Sequence, residues 1–160
     1  MKTAVVYYSQ SGNTQYVSEK IAEALQADLI RLEPEEAYPD SGAKKFFWGG
    51  RSALMGEEPK LKPYVFDGQA YDRIIFGTPV WAGTFTPPLR SFVKEQKDGW
   101  KATHFAVFAS CMGSGKKTAE KLKKLLGISA WDAEMLLIDP KNKKTAESEA
   151  KIQAFIESLK

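Results

Sequence analysis

The chain has 160 residues, with 23 Lys and Arg against 20 Asp and Glu, a formal charge of +3 and a pI near 8.8. This length suits one domain with an adequate core, and the mild positive charge does not by itself indicate a nucleic-acid-binding protein. Because the chain has one cysteine, Cys111, and an apolar N-terminal stretch too short for a signal peptide or a membrane span, we expect a single domain over residues 1–160, in the cytoplasm and without membrane or nucleic-acid partners.

The first half of the chain predicts two strands and two helices. Ala4–Tyr8 is an apolar run typical of a buried strand, and Asn13–Gln26 carries apolar residues on one helical face. Asp28–Leu32 predicts a second short strand. The connection that follows contains four prolines, and within it Ala43–Met55 predicts a helix that Gly49-Gly50 interrupts.

The second half of the chain alternates regularly between apolar runs and helical patterns. The apolar runs predict three further strands, at Ile74–Gly77, Thr103–Ala109 and Met135–Ile138. Apolar residues at helical spacing predict three helices, at Leu89–Gln96, Ala119–Leu126 and Thr145–Leu159. Five strands that alternate with helices predict an α/β fold in which a doubly wound parallel sheet is covered on both faces.

Three loops follow strands and should therefore meet at the carboxyl edge of the sheet, where ligands bind in such folds. They span residues 9–14, 78–88 and 109–115. The first, Ser9-Gln10-Ser11-Gly12-Asn13-Thr14, leads into a helix N-terminus, where free backbone N–H groups, the helix dipole and hydroxyls can hold a phosphate without Lys or Arg. Taken alone, the same turn could be an ordinary helix start capped by Asn13 or Thr14. Beside two other loops at one edge, it predicts a phosphate site.

The sequence resembles the flavodoxin family. Val5–Tyr8 followed by Ser9-x-Ser11-Gly12-Asn13-Thr14 matches the phosphate-loop signature of that family, with Ser18 where Ala is usual. The segment Gly77-Thr78-Pro79-x-Trp81 is also similar to flavodoxin-like proteins. The resemblance follows the element order of the whole chain. It implies a short-chain, three-layer α/β/α fold with a five-stranded sheet of order 2-1-3-4-5, and noncovalently bound FMN.

By this resemblance the phosphate of FMN lies in the first loop and the isoalloxazine lies between the second and third loops. The residues predicted to bind the cofactor are Ser9, Gln10, Ser11, Gly12, Asn13, Thr14, Thr78, Pro79, Val80, Trp81, Ala82, Gly83, Ser110, Cys111, Met112, Gly113 and Gly115. Trp81 is the candidate for stacking on the ring, with a core position as the alternative. Trp48, with Phe46 and Phe47, could approach the ring, although packing roles are favoured for them. No catalytic residue and no metal site is predicted.

Two departures from the family leave the activity open. The third loop offers Cys111 and Met112 where many flavodoxins have an aromatic residue, so one flavin face is predicted to be open or covered by a thioether. The three loops also contain no Asp or Glu, which predicts a less negative potential for the second reduction step of the flavin. We expect an electron carrier with a redox partner protein. The alternatives are an FMN-dependent NAD(P)H:quinone or related oxidoreductase with a small acceptor, and a fold member that no longer binds flavin.

Other motifs carry less information. The segment Gly113–Lys116 resembles part of a Walker motif, but Lys117 stands where Ser or Thr should bind magnesium. Cys111 has neither a second cysteine nor the arginine of a cysteine phosphatase, so a buried or bystander role is predicted. His104 should lie at the opposite edge of the sheet in a structural role.

We predict a solvated face for the basic helix that carries Lys116, Lys117, Lys121, Lys123 and Lys124. The alternative is that this face docks an acidic partner or the phosphate of NADPH.

Overall fold

The computed structural model describes residues 1–39 and 42–160 and contains a five-stranded parallel sheet. Its strands are β1 (Thr3–Tyr7), β2 (Asp28–Arg31), β3 (Arg73–Pro79), β4 (His104–Cys111) and β5 (Ala133–Ile138). The spatial order is β2-β1-β3-β4-β5, and every neighbouring pair is parallel. The predicted doubly wound α/β sheet and its strand order are therefore confirmed.

Among the described residues, four α-helices connect successive strands and a fifth follows β5. They are α1 (Asn13–Leu25), α2 (Gly42–Leu54), α3 (Pro87–Gln96), α4 (Thr118–Leu126) and α5 (Ala146–Ser158). One apolar cluster packs α1 and α5 against one face of the sheet, and a second packs α3 and α4 against the other face. In the described part of the chain, no helix combines the length and apolar character that a membrane crossing needs.

Side-chain alternation along the central strands places the core on both faces. In β1, Val5 belongs to the cluster with α1 and α5, whereas Val6 belongs to the cluster with α3 and α4. In β3, Ile75 and Phe76 divide in the same way, and all four side chains are fully buried. Burial on both faces explains why these strands read as continuous apolar runs in the sequence.

Several predicted boundaries were wrong, each for a packing reason. Helix α2 runs through Gly49-Gly50 without interruption, and Gly49 packs closely on the indole of Trp81, where an added Cβ would lie 3.2 Å from Cε3. Strands β3 and β4 continue to Pro79 and Cys111, beyond the predicted ends. These extra residues pair with neighbouring strands, which satisfies their backbone groups at the carboxyl edge.

The remaining ends also differ by small amounts. Helix α3 starts at Pro87. Proline is tolerated there because the N–H groups of the first helical turn have no acceptor within the helix. Gly127 ends α4 as its C-cap residue, with φ +73°. His104 begins β4 at the amino edge of the sheet, where its Nδ1 lies 2.9 Å from Asp132 Oδ2.

Candidate functional site

A cavity of about 320 Å³ opens at the carboxyl edge of the sheet. Small-molecule sites typically have volumes of about 300–1,000 Å³, so this one falls at the lower end of that range. Its walls come from the three predicted loops, from α2 and from the connection after β5. The lining residues are Gln10, Ser11, Asn13, Gly50, Pro79, Val80, Trp81, Ala82, Ser110, Cys111, Met112, Asp139 and Asn142. The structure thus brings the three predicted loops together around one cavity.

Other residues predicted to bind the cofactor are not part of this lining. They are Ser9, Gly12, Thr14, Thr78, Gly83, Gly113 and Gly115. Several of them use their polar groups inside the protein. The Thr14 and Ser110 hydroxyls are hydrogen-bonded to each other at 2.9 Å, and Thr78 Oγ1 accepts from the Thr86 N–H at 3.1 Å. These hydroxyls shape the loops, and their contact with a ligand stays a prediction.

The first loop presents backbone donors at the N-terminus of α1. Gly12 is the N-cap residue with φ +94°, a left-handed conformation that favours glycine, so the capping roles considered for Asn13 and Thr14 are wrong. The N–H group of Gln15 is not free, because it donates to Ser9 Oγ at 3.2 Å. The N–H groups of residues 11–14 have no acceptor among the described residues. Together with the helix dipole, they suit a bound anion.

The connection after β5 forms a fourth side of the cavity, which we did not predict. Asp139 is buried, with φ +42°, and its Oδ1 accepts from Asn13 Nδ2 at 3.1 Å and from Asn142 Nδ2 at 3.0 Å. The Lys141 N–H donates to Asn13 Oδ1 at 2.9 Å. The rule that ligands lie at the carboxyl ends of strands would have found this loop if it had been applied to β5 as well.

A lysine side chain lies beside the first loop. A Cβ placed on Gly12 would be only 2.7 Å from Lys141 Nζ, so the ammonium group rests where that side chain would stand. The sequence indicated that this turn can hold an anion without Lys or Arg, and the connection after β5 brings a lysine to it as well. The site therefore combines helix N–H donors with a full positive charge.

An aromatic cluster forms the wall around Trp81. The indole is half-buried and packs edge-on against Tyr8 and Tyr38, with ring centroids 5.6 and 5.0 Å away. Burial raises the pKa of the Tyr8 and Tyr38 phenols, so both remain neutral at physiological pH. Trp81 and Thr84 exchange backbone hydrogen bonds of 2.9 and 3.0 Å, which closes a tight turn. The tryptophan is therefore held in place while one part of it stays accessible from the cavity.

The third loop contributes Cys111 and Met112 to the lining of the cavity. Met112 is 69 % exposed, whereas Cys111 is buried and its thiol lies 3.6 Å from the Gly113 carbonyl oxygen. Phe47 and Trp48 pack on each other and do not line the cavity. The side chain of Phe46 lies outside the described residues. The described aromatic surface of the cavity is thus concentrated on the side of Trp81.

Gly49→Ala and Gly50→Ala form a matched pair in α2. Each removes a glycine from a helix interior, which is worth about 1 kcal/mol of stability. The Cβ at position 49 would lie 3.2 Å from Trp81 Cε3, whereas the Cβ at position 50 would lie 3.7 Å from Ala82 Cβ. We expect Gly50→Ala to raise the free energy of unfolding by about 1 kcal/mol and Gly49→Ala to raise it less or not at all. Urea unfolding measures both, and equal stabilisation would contradict close packing of the indole on α2.

Comparison with known proteins gives a consistent result. A sequence model of the flavodoxin family matches residues 2–158. A Lactobacillus acidophilus flavoprotein crystallised in complex with FMN has 22 % identity and a TM-score of 0.71, over 89 % of this chain and 96 % of that one. Two-electron reduced Megasphaera elsdenii flavodoxin has 14 % identity and a TM-score of 0.56, over 97 % and 98 %. An NADH:FMN oxidoreductase in its apo form has 12 % identity and a TM-score of 0.60, over 99 % and 89 %. At these identities the structures show a shared fold.

Proposed function

The chain belongs to the flavodoxin family, and we propose that it holds FMN noncovalently in the carboxyl-edge cavity and carries electrons between redox partners. One observation carries this proposal. Ser11 and Asn13, whose backbone N–H groups have no acceptor among the described residues, line the same cavity as the aromatic residue Trp81, and a phosphorylated planar ligand needs this combination.

The residues around the cavity fit this cofactor. The N–H groups of residues 11–14 suit the phosphate, and Trp81 offers a flat apolar surface to the ring. Gln10 Oε1 is buried and has no donor among the described residues, and the ribityl hydroxyls of FMN are donors of the kind it lacks. When bound, FMN supplies one- and two-electron redox chemistry, while the protein binds, orients and shields it.

The second candidate is an FMN-dependent NAD(P)H oxidoreductase that acts on a small acceptor. The exposed Met112 and the lack of an aromatic residue in the third loop support it, because a nicotinamide or quinone must reach one face of the ring. The lysine-rich surface of α4 would suit an acidic partner or a phosphate group. For either function we propose a cytoplasmic protein that acts as one domain over residues 1–160.

Titration of the purified apoprotein with FMN tests the proposed function. We expect saturable binding at one FMN per chain, with quenching of flavin and tryptophan fluorescence, and a yellow protein after removal of free flavin. Anaerobic mixing of the loaded protein with NADPH and NADH then separates the candidates. Slow or absent bleaching supports the carrier, and bleaching within seconds supports the oxidoreductase. A folded protein that FMN fails to saturate would remove both.

Asp139→Asn is expected to make the reduction potential of bound FMN less negative by tens of millivolts. The three predicted loops contain no carboxylate, but the connection after β5 brings the carboxylate of Asp139 to the cavity. The Asp139 charge opposes the gain of negative charge during reduction, and its removal ends that opposition. Both hydrogen bonds to this side chain end on Oδ1, which asparagine keeps.

Spectroelectrochemical titration measures that shift. Asp132→Asn is the control. Asp132 pairs with His104 at the amino edge of the sheet, so this substitution removes one carboxylate charge far from the cavity. If both variants, loaded with FMN, have the wild-type potential, the Asp139 carboxylate does not act on the ring.

A further inference from the structure

We propose that Lys141 is the residue that makes this site selective for a flavin with a terminal phosphate, FMN, over riboflavin. The inference rests on the proposed FMN site and adds a specific role for the loop after β5. It concerns a charged side chain that the phosphate-loop motif does not contain.

The side chain of Lys141 lies directly over the anion-binding turn. Measured from a Cβ placed on Gly12, its Nζ lies at 2.7 Å, its Cδ at 3.3 Å and its Cε at 3.5 Å. The aliphatic stem therefore crosses the turn where glycine leaves room. This position brings the ammonium group close to Gly12, within the segment 11–14 whose N–H groups have no acceptor among the described residues.

The backbone of Lys141 is fixed to the first loop by hydrogen bonds. Asn13 Oδ1 accepts from the Lys141 N–H at 2.9 Å, and Asn13 Nδ2 donates to Asp139 Oδ1 at 3.1 Å. Asp139 is itself anchored, because its N–H donates to the Cys111 carbonyl oxygen at 3.0 Å and its carbonyl oxygen accepts from the Lys143 N–H at 2.8 Å. The lysine is thus carried on an anchored backbone and does not rely on a flexible loop for its placement.

The local charges favour this role. Asp139 places a buried negative charge near the turn, which by itself would repel a phosphate. The Lys141 ammonium offsets that repulsion. Among the described residues, none of the ion pairs includes Lys141, so its charge is not neutralised there by a carboxylate. Lys144, in the same loop, instead lies over the Tyr16 ring at 4.9 Å.

Separate titrations of the apoprotein with FMN and with riboflavin test the proposal. For Lys141→Gln we expect the affinity for FMN to fall about tenfold or more, as for loss of a charged hydrogen-bonding partner, and the affinity for riboflavin to stay the same. The salt dependence of FMN binding should also become weaker. Lys141→Arg should keep most of the preference for FMN.

Lys143→Gln is the matched control. Its side chain is exposed in the same loop, and its only described bond to Asp139 comes from the backbone, which glutamine keeps. We expect its FMN affinity to change by less than about twofold. If Lys141→Gln keeps the wild-type ratio of FMN to riboflavin affinity, or loses both affinities equally, the inference is wrong and the FMN site stands. If the wild-type protein binds neither flavin, the proposed function itself fails.

Discussion

Replacement of Gly12 by alanine is expected to weaken FMN binding by about tenfold or more in a protein that still folds. At φ +94° an alanine is strained by roughly 1–3 kcal/mol, and the turn can relieve that strain only by moving its N–H groups. The added Cβ would also meet Lys141 Nζ at 2.7 Å and push the flexible ammonium aside. Both effects act on the anion site. Fluorescence titration with FMN measures the affinity, and circular dichroism checks the fold.

Gly127→Ala separates this effect from general strain. Gly127 also has positive φ, at +73°, and ends α4 where an added Cβ would have no described atom within 4 Å. We expect the variant to lose about 1 kcal/mol of unfolding free energy and to bind FMN as the wild type does. Equal weakening of FMN binding in both variants would mean that the Gly12 effect is global destabilisation.

Replacement of Gly77 by alanine is expected to lower the free energy of unfolding by about 3 kcal/mol, the largest stability effect that we predict. Gly77 lies in the central strand β3, and an added Cβ would be 2.4 Å from Cζ of Phe108 and 2.9 Å from its Cε1. Phe108 is fully buried against α5, where its ring packs edge-on to Phe155 at 6.4 Å. The ring therefore cannot move away without disturbing a close-packed core. Urea unfolding measures the loss.

A double-mutant cycle identifies the cause of that loss. Phe108→Leu removes the ring atoms that an alanine at position 77 would strike, at the cost of a partly filled core. We expect the double variant to be more stable than the sum of the two single losses predicts, by roughly 1 kcal/mol or more. Additive losses would show that Gly77 is required for a reason other than the ring contact. Gly113→Ala, where no described atom lies within 4 Å of the added Cβ, should be nearly neutral.

The fold was predictable because its signals are local. Buried parallel strands appear as apolar runs, and helices such as α5 show one apolar face, so element order and sheet class could be derived from the chain alone. Strand order came from the resemblance to a family. Boundaries were less predictable, because Pro79 and Cys111 extend their strands through pairing with neighbours that lie far away in the sequence.

The site was predictable only in part, for the same physical reason. The turn at Gly12 and the position of Trp81 could be read from short segments. The contacts of Asp139 and Lys141 with the first loop depend on tertiary packing, which leaves no local pattern in the sequence. At Gly49 the local sequence pattern predicted the wrong structure. The Gly49-Gly50 pair suggests a broken helix, whereas α2 continues through it with Gly49 packed against the indole of Trp81.

The hydrogen bond between Asn13 and Asp139 joins residues that are 126 positions apart. A nascent chain that has left the ribosome only as far as α4 contains the first three loops but not the side that carries Asp139 and Lys141. Contacts of such long sequence separation carry a large loop-closure cost. The complete cavity therefore requires a chain that has been synthesised beyond its last strand, β5.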